Sequence, residues 1–390
     1  MAAYLQMGHD SENLVGATGL EDYRGIILSP VNRNATELAG DVPTFRAKSE
    51  YDIVLDPQLY FPRSERGALP TQSYFPRDID TADFSSENWW AGIVKSLAEF
   101  GKQIEANAIC SPALVPERWT ADYYTQAAMS YDLLRAELGG SSVRPVLTVC
   151  VSLSELGDPN SAFRIASVLS ENAPSEYYIV AQSDVEPRRE LQNAENLCGL
   201  MILIAALKQA DATILVSHCS SDMILAKAAG ANHAATGKFF NLRRFTRGRF
   251  EEPGEKGGGQ IPYWFEQSLL AFLRQADILR LRRSGFAALI GVGDSTNHWG
   301  NEITAQFERD PGAAWLGLSW RHYLSWFGRA EDKLSGTNSA AVVNDWLRQA
   351  ESNWESLENQ NVLLEERRND GRWVRPWRQA IGDFVKIEIA

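Results

Sequence analysis

Cysteine and histidine are scarce in this chain. Its 390 residues include four cysteines and five histidines. The cysteines, Cys110, Cys150, Cys198 and Cys219, lie far apart and form no CxxC pair, which excludes zinc-ribbon and dithiol-exchange motifs. We interpret them as reduced core residues. The sequence predicts no metal site and no cofactor.

Long apolar runs are also absent. No stretch approaches the about 18 consecutive apolar residues that a membrane-spanning helix needs. The N-terminal residues MAAYLQMGHDSENL lack the basic start, apolar core and cleavage site of a signal peptide. We therefore expect no membrane association and a cytoplasmic location.

Positive charge is in deficit overall but locally abundant. The formal net charge is -12, which argues against a protein that coats nucleic acid through a broad basic surface. Residues 238–283 reverse the balance, with ten basic and five acidic side chains. The pattern favours a confined anion site.

Several common motifs are missing. The chain has no GxGxxG after its first predicted strand, no Walker loop, no GxSxG elbow, no EF-hand and no short metal-ligand spacing such as HExxH. Dinucleotide-binding folds, P-loop enzymes and α/β-hydrolases are thereby disfavoured.

Short apolar runs alternate with amphipathic stretches along most of the chain. This alternation is typical of βα units around a parallel sheet, and eight such strands predict a (β/α)8 TIM barrel. The predicted strands are 25–29, 51–55, 106–110, 145–151, 177–182, 213–217, 233–236 and 287–291. The predicted helices are 89–104, 121–138, 162–172, 189–209, 222–229 and 263–282.

The pattern divides the chain into two parts. Residues 1–300 are predicted to form the barrel, with an inserted loop at 63–88, and residues 301–390 a helical, Trp-rich extension packed on it. Tryptophans at helical spacing in this extension predict either core packing or an interface with a protein partner or a second copy.

Polar residues follow the predicted strands, where the active sites of such barrels lie. They could equally be turn caps. Four are candidates for acid-base or nucleophilic chemistry: Asp56, Asp184, His218 and Asp294. Three more are candidates for substrate binding: Gln58, Gln182 and His298.

The segment GKFFNLRRF follows the predicted strand 233–236 and carries the anion-site candidates. Phosphate commonly binds at the last loops of such barrels, and lysine and arginine suit phosphate or carboxylate ligands. The alternative is a solvated basic face paired with glutamates. The candidates are Gly237, Lys238, Asn241, Arg243 and Arg244.

Two segments, LDPQLY and GKFFNLRRFTRGRF, with the trailing stretch QSLLAFLRQADIL, resemble the tRNA-guanine transglycosylase superfamily and its DNA-modifying relatives. The resemblance covers residues 51–60 and 231–283. It implies that Asp56 assists base exchange and that the arginines hold a nucleic-acid backbone. Thr236 stands where the family has its nucleophilic aspartate, and the zinc motif is absent. The resemblance therefore implies either a degenerate relative that binds nucleic acid or one with a relocated nucleophile such as Asp184 or Asp294.

Three functions follow from these observations. The first is an enzyme acting on a nucleotide or nucleic acid, with transglycosylase-like chemistry. The second is a metabolic barrel enzyme acting on a small phosphorylated substrate. The third is a non-catalytic barrel subunit of a larger nucleic-acid-related assembly.

Overall fold

Eight parallel strands close into a barrel, which confirms the predicted (β/α)8 fold. The computed structural model describes residues 2–251, 260–336, 338–365 and 369–387. Neighbouring strands follow chain order, and β1 pairs with both β2 and β8. The strands are β1 Ala2–Gln6, β2 Tyr23–Leu28, β3 Asp52–Leu55, β4 Ala108–Cys110, β5 Arg144–Ser152, β6 Glu176–Gln182, β7 Thr213–Val216 and β8 His233–Thr236.

The identity of one strand was predicted wrongly. Residues 287–291 form no strand, and Ala287–Leu289 is a short 3-10 helix with exposed alanines. The missing strand is β1, whose residues Ala3 to Leu5 are buried between two neighbours. A short apolar run becomes a strand only where neighbours satisfy its backbone groups, and residues 287–291 have none.

Helices alternate with most of the strands and surround the barrel. Polar side chains cap several of them, for example Ser86, Thr120 and Asn193, each of which accepts a hydrogen bond from a backbone N–H of the first turn. The helices are α1 Ala35–Arg46, α2 Glu87–Gln103, α3 Ala121–Glu137, α4 Pro159–Ser170, α5 Ala194–Lys208, α6 Met223–Ala228, α7 Gln275–Arg283, α8 His298–Arg309, α9 Leu316–Lys333, α10 Ser339–Asn359 and α11 Val374–Lys386.

The predicted helix 263–282 is only half helical. Its first part is an antiparallel hairpin of β9 Trp264–Glu266 and β10 Ala271–Leu273. The buried carboxylate of Glu266 accepts hydrogen bonds from the backbone N–H groups of Ser268, Gly291 and Val292. These bonds tie the hairpin to the loop that was expected to be the eighth strand.

The helical C-terminal extension is present, and part of it completes the ring of helices around the barrel. Helix α9 packs against β1 and β8. The Tyr23 hydroxyl donates to the Leu324 carbonyl at 3.1 Å, and the Thr236 and Tyr323 hydroxyls lie 3.2 Å apart. Residue 300 falls inside α8, and the division at this point stays a prediction.

Helices α10 and α11 form an outer layer over α5 and α6. Trp326, Trp373 and Trp377 are fully buried, so their predicted role in packing is confirmed. A protein partner or second copy stays a prediction. The four cysteines are buried and form no disulfide, as expected. No helix among the described residues is long and apolar enough to cross a membrane.

Charged side chains close the N-terminal end of the barrel. Arg144 pairs with Asp52 at 2.9 Å and with Glu176 at 2.6 Å, and the Tyr4 hydroxyl donates to Asp52 at 2.7 Å. The inserted loop 63–88, with two 3-10 helices, follows β3 at the opposite end. The loops that follow the strands therefore meet at the C-terminal mouth of the barrel, where such barrels carry their active sites.

Candidate active site at the barrel mouth

Asp56 follows β3 and is buried in the barrel mouth, with 1% of its surface exposed. Its carboxylate accepts hydrogen bonds from the Gln58 backbone N–H at 3.0 Å, the Tyr60 hydroxyl at 3.0 Å and the Tyr178 hydroxyl at 3.2 Å. Burial raises the pKa of Asp56 to about 6, although the hydrogen bonds oppose the rise. Such a carboxyl group can exchange a proton near neutral pH.

His218, which follows β7, lies beneath the same mouth. Its backbone has a φ of 53°, unusual for a side chain other than glycine. Its Nδ1 lies 3.0 Å from the Ser217 hydroxyl, and its Nε2 has no hydrogen-bond partner within the described ranges. Burial and the charge of Arg249 hold the pKa of His218 well below its ordinary value. The imidazole is therefore neutral at pH 7.

The segment after β8 folds across the mouth and covers these groups. The Ser183 backbone N–H donates to the Phe245 carbonyl at 3.0 Å, which fixes the segment to the end of β6. The Tyr60 ring packs against Phe245 and Phe250, with centroids 4.8 and 5.9 Å away. Asp56 is thus shielded from solvent by aromatic side chains.

Arg249 lies in this covering segment and is 5% exposed. One guanidinium N–H donates to the Asn241 carbonyl at 3.4 Å, while Nε and Nη2 have no partner among the described residues. Burial lowers the pKa of Arg249 to about 10, and the charge of Asp56 opposes this shift. The side chain stays charged at pH 7 and lacks a full set of acceptors.

Arg249 also lines a cavity of about 510 Å³ beside the loops after β1 and β8, called here the cationic cavity. Among the described residues, Glu186 is the only carboxylate in its wall, and Glu186 lies 3.8 Å from Arg189. Five cationic side chains line the cavity: Arg66, Arg188, Lys238, Arg243 and Arg249. An anion would complement this charge.

Lys238 and Arg243 are held in place mainly by aromatic rings and backbone carbonyls. Lys238 lies 4.8 Å from the Trp320 ring centroid, and its ammonium donates to the Asp10 carbonyl at 2.5 Å. The Arg243 guanidinium lies 3.6 Å from the Tyr323 ring centroid and donates to two carbonyls, those of Gly237 and Lys238. Burial lowers the pKa of both side chains, that of Arg243 to about 10.

Gly237 is required by close packing. A Cβ atom at this position would lie 2.5 Å from the Leu242 side chain and 2.8 Å from the Gln6 carbonyl. Because Gly237 has no Cβ atom, the chain can turn directly from β8 into the covering segment. Asn241 also lines the cationic cavity, and its side-chain oxygen is buried with no partner in the described part of the chain.

Arg244 was predicted to bind substrate but faces away from the cationic cavity. Its guanidinium lies 3.6 Å from the Glu190 carboxylate and 3.5 Å from that of Asp222. The pairing with a glutamate matches the alternative interpretation, but the side chain is buried and not solvated. Burial raises the pKa of Glu190 to about 7, while Arg244 acts against the shift. The cluster fixes the loop after β6 to α6.

Asp294 and His298 were predicted to lie at the mouth, and the structure places them elsewhere. Asp294 accepts from Lys333 at 2.7 Å, and the exposed His298 packs on Trp299 with ring centroids 4.8 Å apart. Asp294 lies in the 3-10 turn Gly293–Ser295, and His298 is the first residue of α8. The prediction failed because it assigned a strand to residues 287–291.

The remaining candidates, Gln58, Gln182 and Asp184, differ in burial. Gln58 is buried, and its side-chain oxygen accepts from the Val31 N–H at 3.1 Å. Gln182 and the exposed Asp184 line a second cavity of about 1050 Å³ beyond Phe250. Asp184 makes no hydrogen bond to Asp56.

Sequence reasoning missed Arg249, Tyr178 and Arg188. Arg249 belongs to the quoted basic stretch, but position alone did not distinguish it from its neighbours. Tyr178 lies within a predicted strand, where alternation would have suggested that it faces the interior.

Thr236, at the expected nucleophile position, is buried and donates to the Cys219 carbonyl at 2.7 Å. In the described ranges no group of three His, Cys, Asp or Glu side chains could hold a metal ion.

No protein-family model and no curated protein matches this sequence. Solved structures with a similar fold include a protein described as a lyase/mutase from Burkholderia cenocepacia J2315, 14% identical, with a TM-score of 0.35 over 78% of this chain and 90% of that one. A type I 3-dehydroquinate dehydratase from Clostridium difficile is 9% identical, with a TM-score of 0.34 over 64% of this chain and 88% of that one.

The carboxyl transferase domain of Rhizobium etli pyruvate carboxylase is 10% identical, with a TM-score of 0.36 over 98% of this chain and 60% of that one. Scores at this level carry no inference about chemistry. The assignment of this chain as a (β/α)8 barrel rests on the closed order of its eight strands.

Proposed function

We propose that this protein is an enzyme that acts on a small anionic substrate, with Asp56 as its acid-base group. The buried cations beside Asp56 carry this proposal. Arg249 and Arg243 are buried and form no salt bridge with a described residue; Arg243 donates only to backbone carbonyls, and Nε and Nη2 of Arg249 have no acceptor there. Buried charge is costly unless it is compensated, and a bound phosphate or carboxylate would compensate it.

The size of the cationic cavity supports a small substrate. Its volume of about 510 Å³ falls within the range of small-molecule sites. Arg188 is exposed and gives the cavity a cation at its solvent side, while Arg249 is buried. An anionic group would enter past Arg188 and approach Arg249, which lies over Asp56.

Arg249 provides the connection between anion binding and acid-base chemistry. Its charge lowers the pKa of Asp56, so an anion that pairs with Arg249 weakens this effect and favours the protonated carboxyl group. Asp56 would then donate a proton to the bound substrate. Tyr60 and Tyr178 position the carboxyl group through their hydroxyls.

Nucleoside phosphates belong to the same substrate class and keep the transglycosylase resemblance open as a second candidate. Asp56 is buried at the mouth, where that resemblance needs a carboxyl group. Thr236 makes the resemblance incomplete, because its hydroxyl is engaged inside the barrel wall. Long nucleic acids fit a confined cavity in an acidic protein less well.

Thermal unfolding of the wild type with inorganic phosphate, ribose 5-phosphate, nucleoside monophosphates and short DNA or RNA tests the proposal. Ligand at 100 times its Kd should stabilise the protein by about 2.7 kcal/mol. Arg188→Ala and Lys238→Gln should each raise the Kd at least fivefold, which lowers the stabilisation at the same ligand concentration by about 1 kcal/mol. Arg164→Ala, which removes an exposed arginine from α4, should not.

The outcomes separate the candidates. A shift with sugar phosphates but not oligonucleotides supports the small-substrate enzyme. Oligonucleotide binding that falls steeply with salt would favour nucleic acid instead. No shift with any anion would contradict the proposal and favour the non-catalytic subunit.

A further inference from the structure

The second cavity has a different character from the first. It has a volume of about 1050 Å³ and lies among the loops that follow β3, β4, β5 and β6. We call it the aromatic cavity because seven rings form much of its wall: Tyr60, Phe61, Phe84, Trp90, Trp119, Tyr123 and Phe250. Large flat surfaces of this kind bind apolar or aromatic bodies.

The aromatic cavity also has an excess of carboxylates. Two of its arginines have carboxylate partners: Arg63 pairs with Asp80 at 3.0 Å, and Arg247, which lies over the Phe61 ring, is 3.8 Å from Glu251. Three carboxylates in its wall have no ion-pair partner in the part of the chain that the structure describes: Glu117, Glu155 and Asp184. Only Arg118 offsets them, so the wall has the opposite sign to the cationic cavity.

A thin partition separates the two cavities and stands directly over Asp56. Arg249 lines the cationic cavity, and the next residue, Phe250, lines the aromatic one. Tyr60 lines the aromatic cavity and donates its hydroxyl proton to the Asp56 carboxylate at 3.0 Å. Asp56 is therefore one side chain away from the aromatic cavity, and Arg249 of the cationic cavity acts on it through its charge.

We infer that the aromatic cavity binds an organic cation, namely a primary amine carried on an aromatic or apolar body. Aromatic faces attract cations, and the unpaired carboxylates complete the charge complementarity. Gln182, whose side-chain oxygen has no hydrogen-bond partner among the described residues, lies in the same wall. That this amine is the second reactant of the enzyme rests on the proposed function.

Three probes of similar shape isolate the role of charge: 2-phenylethylamine, 2-phenylethanol and 3-phenylpropionate. Their affinities for the full chain would be measured at pH 7 by calorimetry and ligand-observed NMR. We expect the amine to bind at least tenfold more tightly than the alcohol, and the carboxylate to bind most weakly. Saturating inorganic phosphate should not displace the amine.

A double variant, Glu155→Gln with Asp184→Asn, should lower the affinity of the amine to that of the alcohol. Both side chains are exposed, so the fold should be retained, and unchanged binding of the alcohol verifies this. Glu302→Gln, an exposed position on α8 outside the cavity, is the matched control. The control should bind the amine like the wild type.

Two results would overturn the inference: an amine that binds no more tightly than the alcohol, or an amine affinity that the double variant leaves unchanged. Inorganic phosphate binding is measured in parallel to separate the two proposals. If the amine shows no selectivity over the alcohol but phosphate still binds, the inference about the aromatic cavity is wrong and the proposed function stands. If the amine binds selectively but no anion binds, the proposed function is wrong and the inference about the aromatic cavity stands.

Discussion

The hydroxyl of Tyr178 donates a hydrogen bond of 3.2 Å to the carboxylate of Asp56. Tyr178 is on β6 and Asp56 follows β3, and these strands are not neighbours in the barrel. The bond therefore crosses the barrel interior and joins two sides of the mouth. It fixes the carboxyl group below the partition between the cationic and aromatic cavities.

Replacing Tyr178 with phenylalanine should raise the pKa of Asp56 further above about 6, because one donor to the ionised form is lost. We expect a cost of about 1.5–3 kcal/mol in the free energy of unfolding at pH 7. Carboxyl NMR titration and urea unfolding measure the two effects. Tyr177→Phe is the control, since its hydroxyl faces the Leu169 carbonyl at 3.4 Å. If the pKa of Asp56 were unchanged in Tyr178→Phe, the hydrogen bond would not stabilise the ionised carboxylate.

Stability should depend on pH through Asp56. The pKa of Asp56 is raised from 3.8 to about 6 on folding, so between these values the folded state holds a proton that the unfolded state has lost. Stability from this group therefore falls as pH rises from about 4 to about 6, by roughly 3 kcal/mol in total. Asp56→Asn removes the titration and should remove that part of the slope.

Urea unfolding of wild type and Asp56→Asn at pH 4, 5, 6, 7 and 8 measures this effect. The difference between the two proteins isolates Asp56 from other buried carboxyl groups, such as Glu190 and Glu266, whose pKa values are also raised. The free energy of unfolding of Asp56→Asn, relative to that of the wild type, should increase as pH rises. A difference that stays constant with pH would mean that Asp56 does not titrate in this range.

A buried ion pair joins α6 to α9, where Lys227 lies 2.7 Å from Glu331 and both side chains are at most 1% exposed. Lys227→Met should lower the free energy of unfolding by about 3–5 kcal/mol, because it leaves the Glu331 charge buried and unpaired. Lys227→Met combined with Glu331→Leu should recover most of the loss. Guanidinium unfolding provides the measurement.

The matched control is Arg375→Ala, which breaks a pair with Glu351 in which Arg375 is 72% exposed. This change should leave the free energy of unfolding nearly unchanged, because water screens the pair. If the double variant at Lys227 and Glu331 were as unstable as Lys227→Met alone, the loss would arise from packing and not from unpaired charge.

The sequence predicted much of the barrel because βα units carry local patterns. The strand predicted at 145–151 is β5 Arg144–Ser152, and the helix predicted at 121–138 is α3 Ala121–Glu137. The hairpin of β9 and β10 was missed because its apolar residues also fit a helical period. Apolar composition at 287–291 did not reveal that no neighbouring strand is available to those residues.

Candidate residues were predicted best where chain position alone decides their place. Asp56 follows a buried strand and precedes a proline, so it had to lie at a strand end. Asp294 depended on a strand that does not exist, and its prediction failed with it. Arg249 could not be found, because its importance comes from the groups that surround it and from the acceptors that it lacks.

Arg243 and Arg244 show the boundary between sequence and structure. The sequence by itself determined that this loop after a barrel strand is basic, and that the chain folds as alternating strands and helices. Tertiary structure decided that Arg243 packs on Tyr323 at the cationic cavity, whereas Arg244 pairs with Glu190 and Asp222. Successive side chains of an irregular segment point in directions set by distant packing partners, and sequence spacing does not encode them.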